Sequence, residues 1–131
     1  MEANDGIASD EASAIDLVVA LYDGVLRFLN EASAAVERND VDARRNAVKR
    51  ALDIIIHLQA RLRMDVGGEL AQMLSEFYAS IFAQILQASQ SAQSSRSDSQ
   101  EKFAHAIECV KNVRDAWRLV INNPALNQAE S

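Results

Sequence analysis

The stretch Leu17-Val18-Val19-Ala20-Leu21-Tyr22-Asp23-Gly24-Val25-Leu26-Arg27-Phe28-Leu29 decides the fold class. Only Asp23 and Arg27 are charged in it, and its apolar positions recur at helical spacing. On a helical wheel with Tyr22 at the origin, Ile15, Val18, Val25, Leu26, Leu29 and Val36 gather around it as one core face. Leu17, Leu21 and Phe28 fall to one side and widen the apolar arc to roughly 200°, about twice what a surface helix of a bundle needs. Gly24 falls beside them in mid-helix, where glycine costs about 1 kcal/mol relative to alanine. It marks a close backbone approach or a tolerated defect. One face of this helix builds a bundle, and a flanking stripe is left for another use.

Outward from this helix, Ser13 and Asp16 resemble a capping box that starts it at about residue 14, and Asn39-Asp40 closes it near 38. Residues 1–12 are small, acidic and aperiodic, and read as a mobile arm. Helix 2 is expected over 41–64, with Val41, Val48, Ala51, Leu52, Ile55, Leu58 and Leu62 inward, Ile54 on one flank and Ile56 on the other. Asp65-Val66-Gly67-Gly68-Glu69 breaks the pattern, because two glycines permit positive φ and a hairpin of helices. Helix 3, over 69–89, presents Leu70, Leu74, Phe77, Ile81, Ile85 and Ala88, widened by Tyr78 and Phe82. The Ser/Gln tract over 89–100 is a linker, in which Ser95 with Asp98, or Ser97 with Gln100, caps a fourth helix over 98–121. Phe103, Ala106, Ile107, Val110, Val113, Trp117, Val120 and Ile121 form its apolar face, and Asn122-Asn123-Pro124 ends it ahead of a tail over 122–131. Short connections at 39–40 and 65–68 force antiparallel neighbours. The expectation is all-α: an antiparallel up-down-up-down four-helix bundle over 13–121.

Composition narrows the function. With 19 acidic and 13 basic residues, the chain has no basic excess to displace counterions from nucleic acid or an anionic membrane. No run approaches the length of a membrane span, and the start Met1-Glu2-Ala3-Asn4-Asp5 has no signal-peptide pattern. A single cysteine, Cys109, rules out an internal disulfide and suits a reducing cytoplasm; it sits at the edge of a core face and reads as packing. There is no Glu-x-x-His pair, and Glu101, His105 and Glu108 lie opposite Phe103 and Val110, toward solvent. His57 shares its face with Asp53 and Arg61 and reads as a rim residue. With no nucleophile elbow, P-loop or Cys-x-x-Cys, no enzyme, metal or cofactor is expected. What remains is apolar surface on helices 1 and 2 beyond one bundle seam. Either it packs inside the bundle, or it forms a groove for another chain's segment, or it pairs two copies of a helical adaptor as a homodimer.

Leu21-Tyr22-Asp23-Gly24, followed by Leu26, Phe28 and Leu29, resembles the signature of the flagellar secretion chaperone family, FliS. Ile54-Ile55-x-x-Leu58-x-x-x-Leu62, then Gly67-Gly68-Glu69-Leu70-Ala71-x-x-Leu74-x-x-x-Tyr78, continue the likeness, and Val113-Arg114-Asp115-Ala116-Trp117 resembles its closing element. The pieces stand in order over about residues 14–120.

The resemblance implies a bacterial, cytosolic helical bundle. It also implies a partner: the C-terminal segment of flagellin, disordered when free, held against early polymerisation and presented to an export-gate protein. Tyr22, Asp23 and Gly24, then Ile54, Ile55 and Leu58, then Tyr78, are the matching positions for flagellin binding, and Gly67 and Gly68 match the hairpin. The wheel adds Leu17, Leu21, Phe28, Ile54 and Ile56 as groove contacts, since they lie outside the central seam, and turns Tyr22 inward. A monomer or weak homodimer is expected. Three departures stand out. The arm lacks the tyrosine common in the family, with Ile7 as its apolar residue; Arg63 replaces a frequent aspartate; and Ala79-Ser80 follows Tyr78 in place of a second tyrosine-bearing half.

Overall fold

The computed structural model describes residues 2–65 and 67–122, with side chains over 14–65 and 67–119. The side chains of the expected arm, the tail beyond Asn122 and the expected core positions Val120 and Ile121 lie outside the described residues. The elements are α1 (Glu2–Glu37), α2 (Val41–Ala60), α3 (Gly68–Ser91) and α4 (Arg96–Asn122). Each packs on its neighbours in the chain, and α4 returns to α1.

Cross-helix contacts fix the directions. Gly24 of α1 faces Ile54 of α2, and one turn later Phe28 faces Arg50. Gln59, near the end of α2, reaches Ser75 on α3, and Ser99, near the start of α4, reaches the carbonyl of Ala88 late in α3. Gln100 in turn meets Glu37 at the end of α1. Every adjacent pair is antiparallel, so the expected up-down-up-down bundle is what forms.

The helix ends follow local chemistry. Asn39 takes φ 56°, and the N–H groups of Asn39 and Asp40 return to the carbonyls of Val36 and Ala35, closing the last turn of α1. The Asp40 carboxylate then accepts from the Ala43 N–H at 3.0 Å and caps α2. α1 begins at Glu2, ahead of the expected start at 14, because nothing in residues 2–13 breaks a helix outright.

α2 stops at Ala60, four residues short of the expected end. Arg63 pairs with Asp65 two positions on, a spacing that a helix holds on different faces and a turn brings together. The Ser/Gln tract shortens to residues 92–95. Ser95 Oγ accepts from the Asp98 N–H at 3.2 Å, which starts α4 at Arg96 and selects the first of the two capping boxes.

Tyr22, Val25, Leu29, Ala51, Ile55, Leu58, Tyr78, Ile81, Ile85, Phe103, Ala106 and Val110 make the core. Among the described residues, two expected core positions are exposed: Val41 at 44% and Leu70 at 54%. Val41 is the first residue of α2, at the bundle's edge. Leu70 lies in the turns of α3 that run past the shortened end of α2, so no neighbouring helix covers it.

The three described glycines of the motifs differ in reason. At Gly24 a Cβ would stand 3.0 Å from Ile54 Cδ1, the yielding tip of a side chain, so this is a close approach of α1 and α2. At Gly67 a Cβ would collide with Ala71 and sit 2.7 Å from the Arg63 carbonyl oxygen. Gly68 has open space but φ +58°, a conformation most residues resist. We expect Gly67→Ala to cost about 2–3 kcal/mol, because backbone has to move, against about 1 kcal/mol for Gly68→Ala. Urea unfolding of both variants checks the order, and equal costs would refute the steric reading.

Candidate functional site

The signature pieces converge on one place inside the bundle. Tyr22, 1% exposed, and Tyr78, 2% exposed, point at each other across the core with hydroxyls 2.6 Å apart. Trp117 of α4 donates its indole N–H to the Tyr22 hydroxyl at 3.0 Å. Burial raises the pKa of both tyrosines; for Tyr22 the hydrogen bonds partly offset it, and for Tyr78 the bond to Tyr22 adds to it. Beside them, Arg114 donates to Asp23 at 3.1 Å and Arg118 reaches the same carboxylate at 3.4 Å, which holds α4 on α1. The Asp23 hydrogen bond, with Asp115 adding, raises the Arg114 pKa. The buried tyrosine pair and Trp117 tie α1, α3 and α4 together, while Asp23 and Arg118 beside them stay partly open to solvent.

Ile54 and Ile56 are about 200° apart on α2 and serve different neighbours. Ile54 packs toward Gly24 on the α1 side, where Leu21 and Phe28 are also half-buried. The Phe28 ring is flanked by the Arg27 and Arg50 guanidiniums at 5.3 and 5.6 Å. α1 packs more extensively on α2 than any other pair does, so most of the flanking stripe read from the sequence is spent on the seam. Leu17, at 43% exposure, stays outside it.

Ile56 is 54% exposed and faces α3, across the least extensive of the four contacts between adjacent helices. Here a cleft of about 470 Å³ opens between α2 and α3. Buried Ile55 and Tyr78 form its floor; Ile56, Ala79 and Phe82 form its walls. Gln59 donates to Ser75 across the cleft at 2.7 Å. Tyr78 also lines a second hollow, about 270 Å³, at the α2–α3 end of the bundle, with Val18, Leu58, Leu62, Leu74 and Trp117. Met64, Leu70 and Met73 stand exposed around that end. The two hollows have the buried Tyr78 in common. Both linings are mostly apolar, with Arg61 and Arg63 at the end hollow, and suit apolar side chains of another polypeptide.

The chain matches the sequence model of the family described as Flagellar protein FliS over residues 3–124. It belongs to the FliS family. Among its relatives, the Flagellar secretion chaperone FliS of Campylobacter jejuni is 32% identical over 112 residues, covering 86% of this chain and 83% of that protein. The protein of that name from Salmonella typhimurium is 35% identical over 114 residues, 83% of this chain and 77% of its own length. That of Vibrio cholerae is 29% identical over 106 residues, 81% and 74%.

Set on this FliS fold, the residues singled out in the sequence divide three ways. Tyr22, Asp23, Gly24 and Ile54 make interhelical contacts. Ile55, Leu58 and Tyr78 are buried and reach the apolar surface only from beneath. Ile56 is in the cleft wall, and Leu17 is exposed on α1. Phe82 and Ala79 also line the cleft and were not among the residues the sequence singled out for binding. The widening of the helix 3 apolar face by Phe82 was the signal, and Ala79 entered only as a departure. Among the described residues, no group of His, Cys, Asp and Glu is placed to hold a metal, and no helix is long and apolar enough to cross a membrane. Asp53 pairs with Lys49 at 3.1 Å, and Cys109 Sγ lies 3.8 Å from His105 Nε2.

Proposed function

We propose that this protein is a cytosolic chaperone that holds the C-terminal segment of flagellin in the apolar surface between α2 and α3. The bound segment is thereby kept from polymerising early and is delivered to the flagellar export gate. The observation that carries the reading is the cleft itself: Ile56, Ala79 and Phe82 line an open apolar channel above a sealed floor, in a chain of the FliS family. A client that is disordered when free needs much apolar burial to offset its ordering cost, and the cleft, the end hollow and the exposed Met64, Leu70 and Met73 around it offer apolar surface for that. The α2 residues that line the cleft, Ile55 to Ala60, span about 8 Å of helix, so the cleft itself takes about one turn of the client.

Calorimetric titration with a synthetic peptide from the C-terminus of the host's flagellin tests this. A 1:1 exotherm with a large negative heat-capacity change is expected. Absence of heat at several temperatures, with the protein folded, would overturn it. Light scattering that showed an obligate dimer in the same sample would transfer the surface to self-association.

A further inference from the structure

At the end of the bundle away from Tyr78, Arg44 is 6% exposed. It makes no ion pair among the described residues, and its enclosed Nε–H has no acceptor. The position is adverse in two ways. Arg44 lies in the first turn of α2, where the helix dipole opposes a cation, and enclosing its Nε–H without an acceptor is unfavourable as well. Acceptors at this end of the bundle take other N–H groups, and none takes the Arg44 Nε–H. Asp40 Oδ1 takes the Ala43 N–H, and the carbonyls of Ala35, Val36, Ser89 and Gln90 accept backbone N–H groups closing the ends of α1 and α3.

Arg44 lines a cavity of about 400 Å³ between the last turn of α1, the first turn of α2 and the end of α3. Val36, Val41 and Ala92 give it apolar walls, and Arg45 and Gln93 add polar groups at its edge. A guanidinium with spare donors beside an apolar wall matches an oxyanion on a short carbon stem. The lining carries two guanidiniums, Arg44 and Arg45, and no carboxylate, while its apolar wall favours an anion on a carbon stem over inorganic phosphate.

We propose that this cavity is a carboxylate-binding site, in which Arg44 receives the carboxylate and Val36, Val41 and Ala92 receive its stem. The carboxylate comes from a small organic acid or from the terminus of a peptide. The site stands apart from the α2–α3 cleft, so it does not depend on the chaperone reading.

Nitrogen-15 NMR of the arginine Nε–H groups in the full chain, at constant ionic strength, tests the proposal on the wild-type protein. Butyrate is expected to shift the Arg44 resonance saturably where chloride does not. Arg44→Gln is expected to weaken butyrate binding about tenfold, as loss of a charge-assisted bidentate contact implies, while Arg45→Gln changes it less. Acetyl-Ala-Ala with a free carboxylate, against its amide, separates the sources. Tighter binding than butyrate assigns the site to a chain terminus, and weaker binding assigns it to a small acid. A linear butyrate response equal to that of chloride, tighter binding of inorganic phosphate, or equal binding of the amide in place of the acid overturns it. Should Arg44→Gln fail to fold, the comparison of butyrate with chloride on the wild type decides alone.

Discussion

Ile56→Asp is expected to weaken binding of the flagellin C-terminal peptide roughly a hundredfold, or about 2.7 kcal/mol, without lowering the melting temperature. Ile56 is 54% exposed in the free protein, so an aspartate there remains solvated and removes little packing. In a complex the same carboxylate is pressed against Ala79 and Phe82 and loses its water, while the Gln59 amide in the lining already donates to Ser75. Ile54→Asp is the necessary contrast. Its side chain packs toward Gly24 within the α1–α2 seam, and a charge there is expected to lower stability by about 2–4 kcal/mol, so any loss of binding comes with loss of fold. Calorimetry and thermal unfolding on both variants read the two effects separately. Normal binding by Ile56→Asp, with binding lost in a folded Leu17→Asp variant, would move the client to the outer face of α1.

This contrast marks where the sequence was legible. Helical periodicity turned Tyr22, Val25 and Leu29 inward because the 3.6-residue repeat is local, and the structure has all three buried. The wheel also showed that helices 1 and 2 carry surplus apolar surface. It did not show which side of α2 stays open. Ile54 and Ile56 are equivalent flanks on a wheel, and they become different only when α1 closes tightly on one and α3 stands off the other. That difference comes from helix-to-helix distance, set at Gly24 from one side and by the early end of α2 from the other. The end of α2 was itself misplaced, because Leu62 continued the apolar repeat while Arg63 and Asp65 were already forming a turn. Likewise, each signature piece was visible singly, but the chain offered no local sign that Tyr22, Tyr78 and Trp117 meet through their polar atoms. Partnering at separations of 56 and 95 residues is a property of the assembled bundle.

That meeting implies the second large effect. Tyr22→Ala is expected to cost about 4 kcal/mol or more, close to the whole stability of a marginal domain. It empties a ring-sized space at 1% exposure and strips the Tyr78 hydroxyl and the Trp117 indole N–H of their shared partner. Tyr22→Phe keeps the ring and isolates the polar part, at about 1–2 kcal/mol. The pH dependence then identifies the cause. Both tyrosines have pKa values raised by burial above the ordinary value of 10.0, so the folded state keeps protons that the unfolded chain releases. Their contribution is fully present below pH 10 and is lost as the pH climbs toward the raised folded values. Urea unfolding from pH 8 upward is therefore expected to show stability falling above about pH 10 in the wild type. The fall should be shallower once both Tyr22 and Tyr78 are phenylalanine. Trp117 fluorescence reports on the same contact, and its emission should shift in Tyr22→Phe at neutral pH, where the fold is intact. An unshifted emission with an unchanged alkaline slope would mean that these hydroxyls are solvated, and that the family signature holds the bundle through ring packing alone.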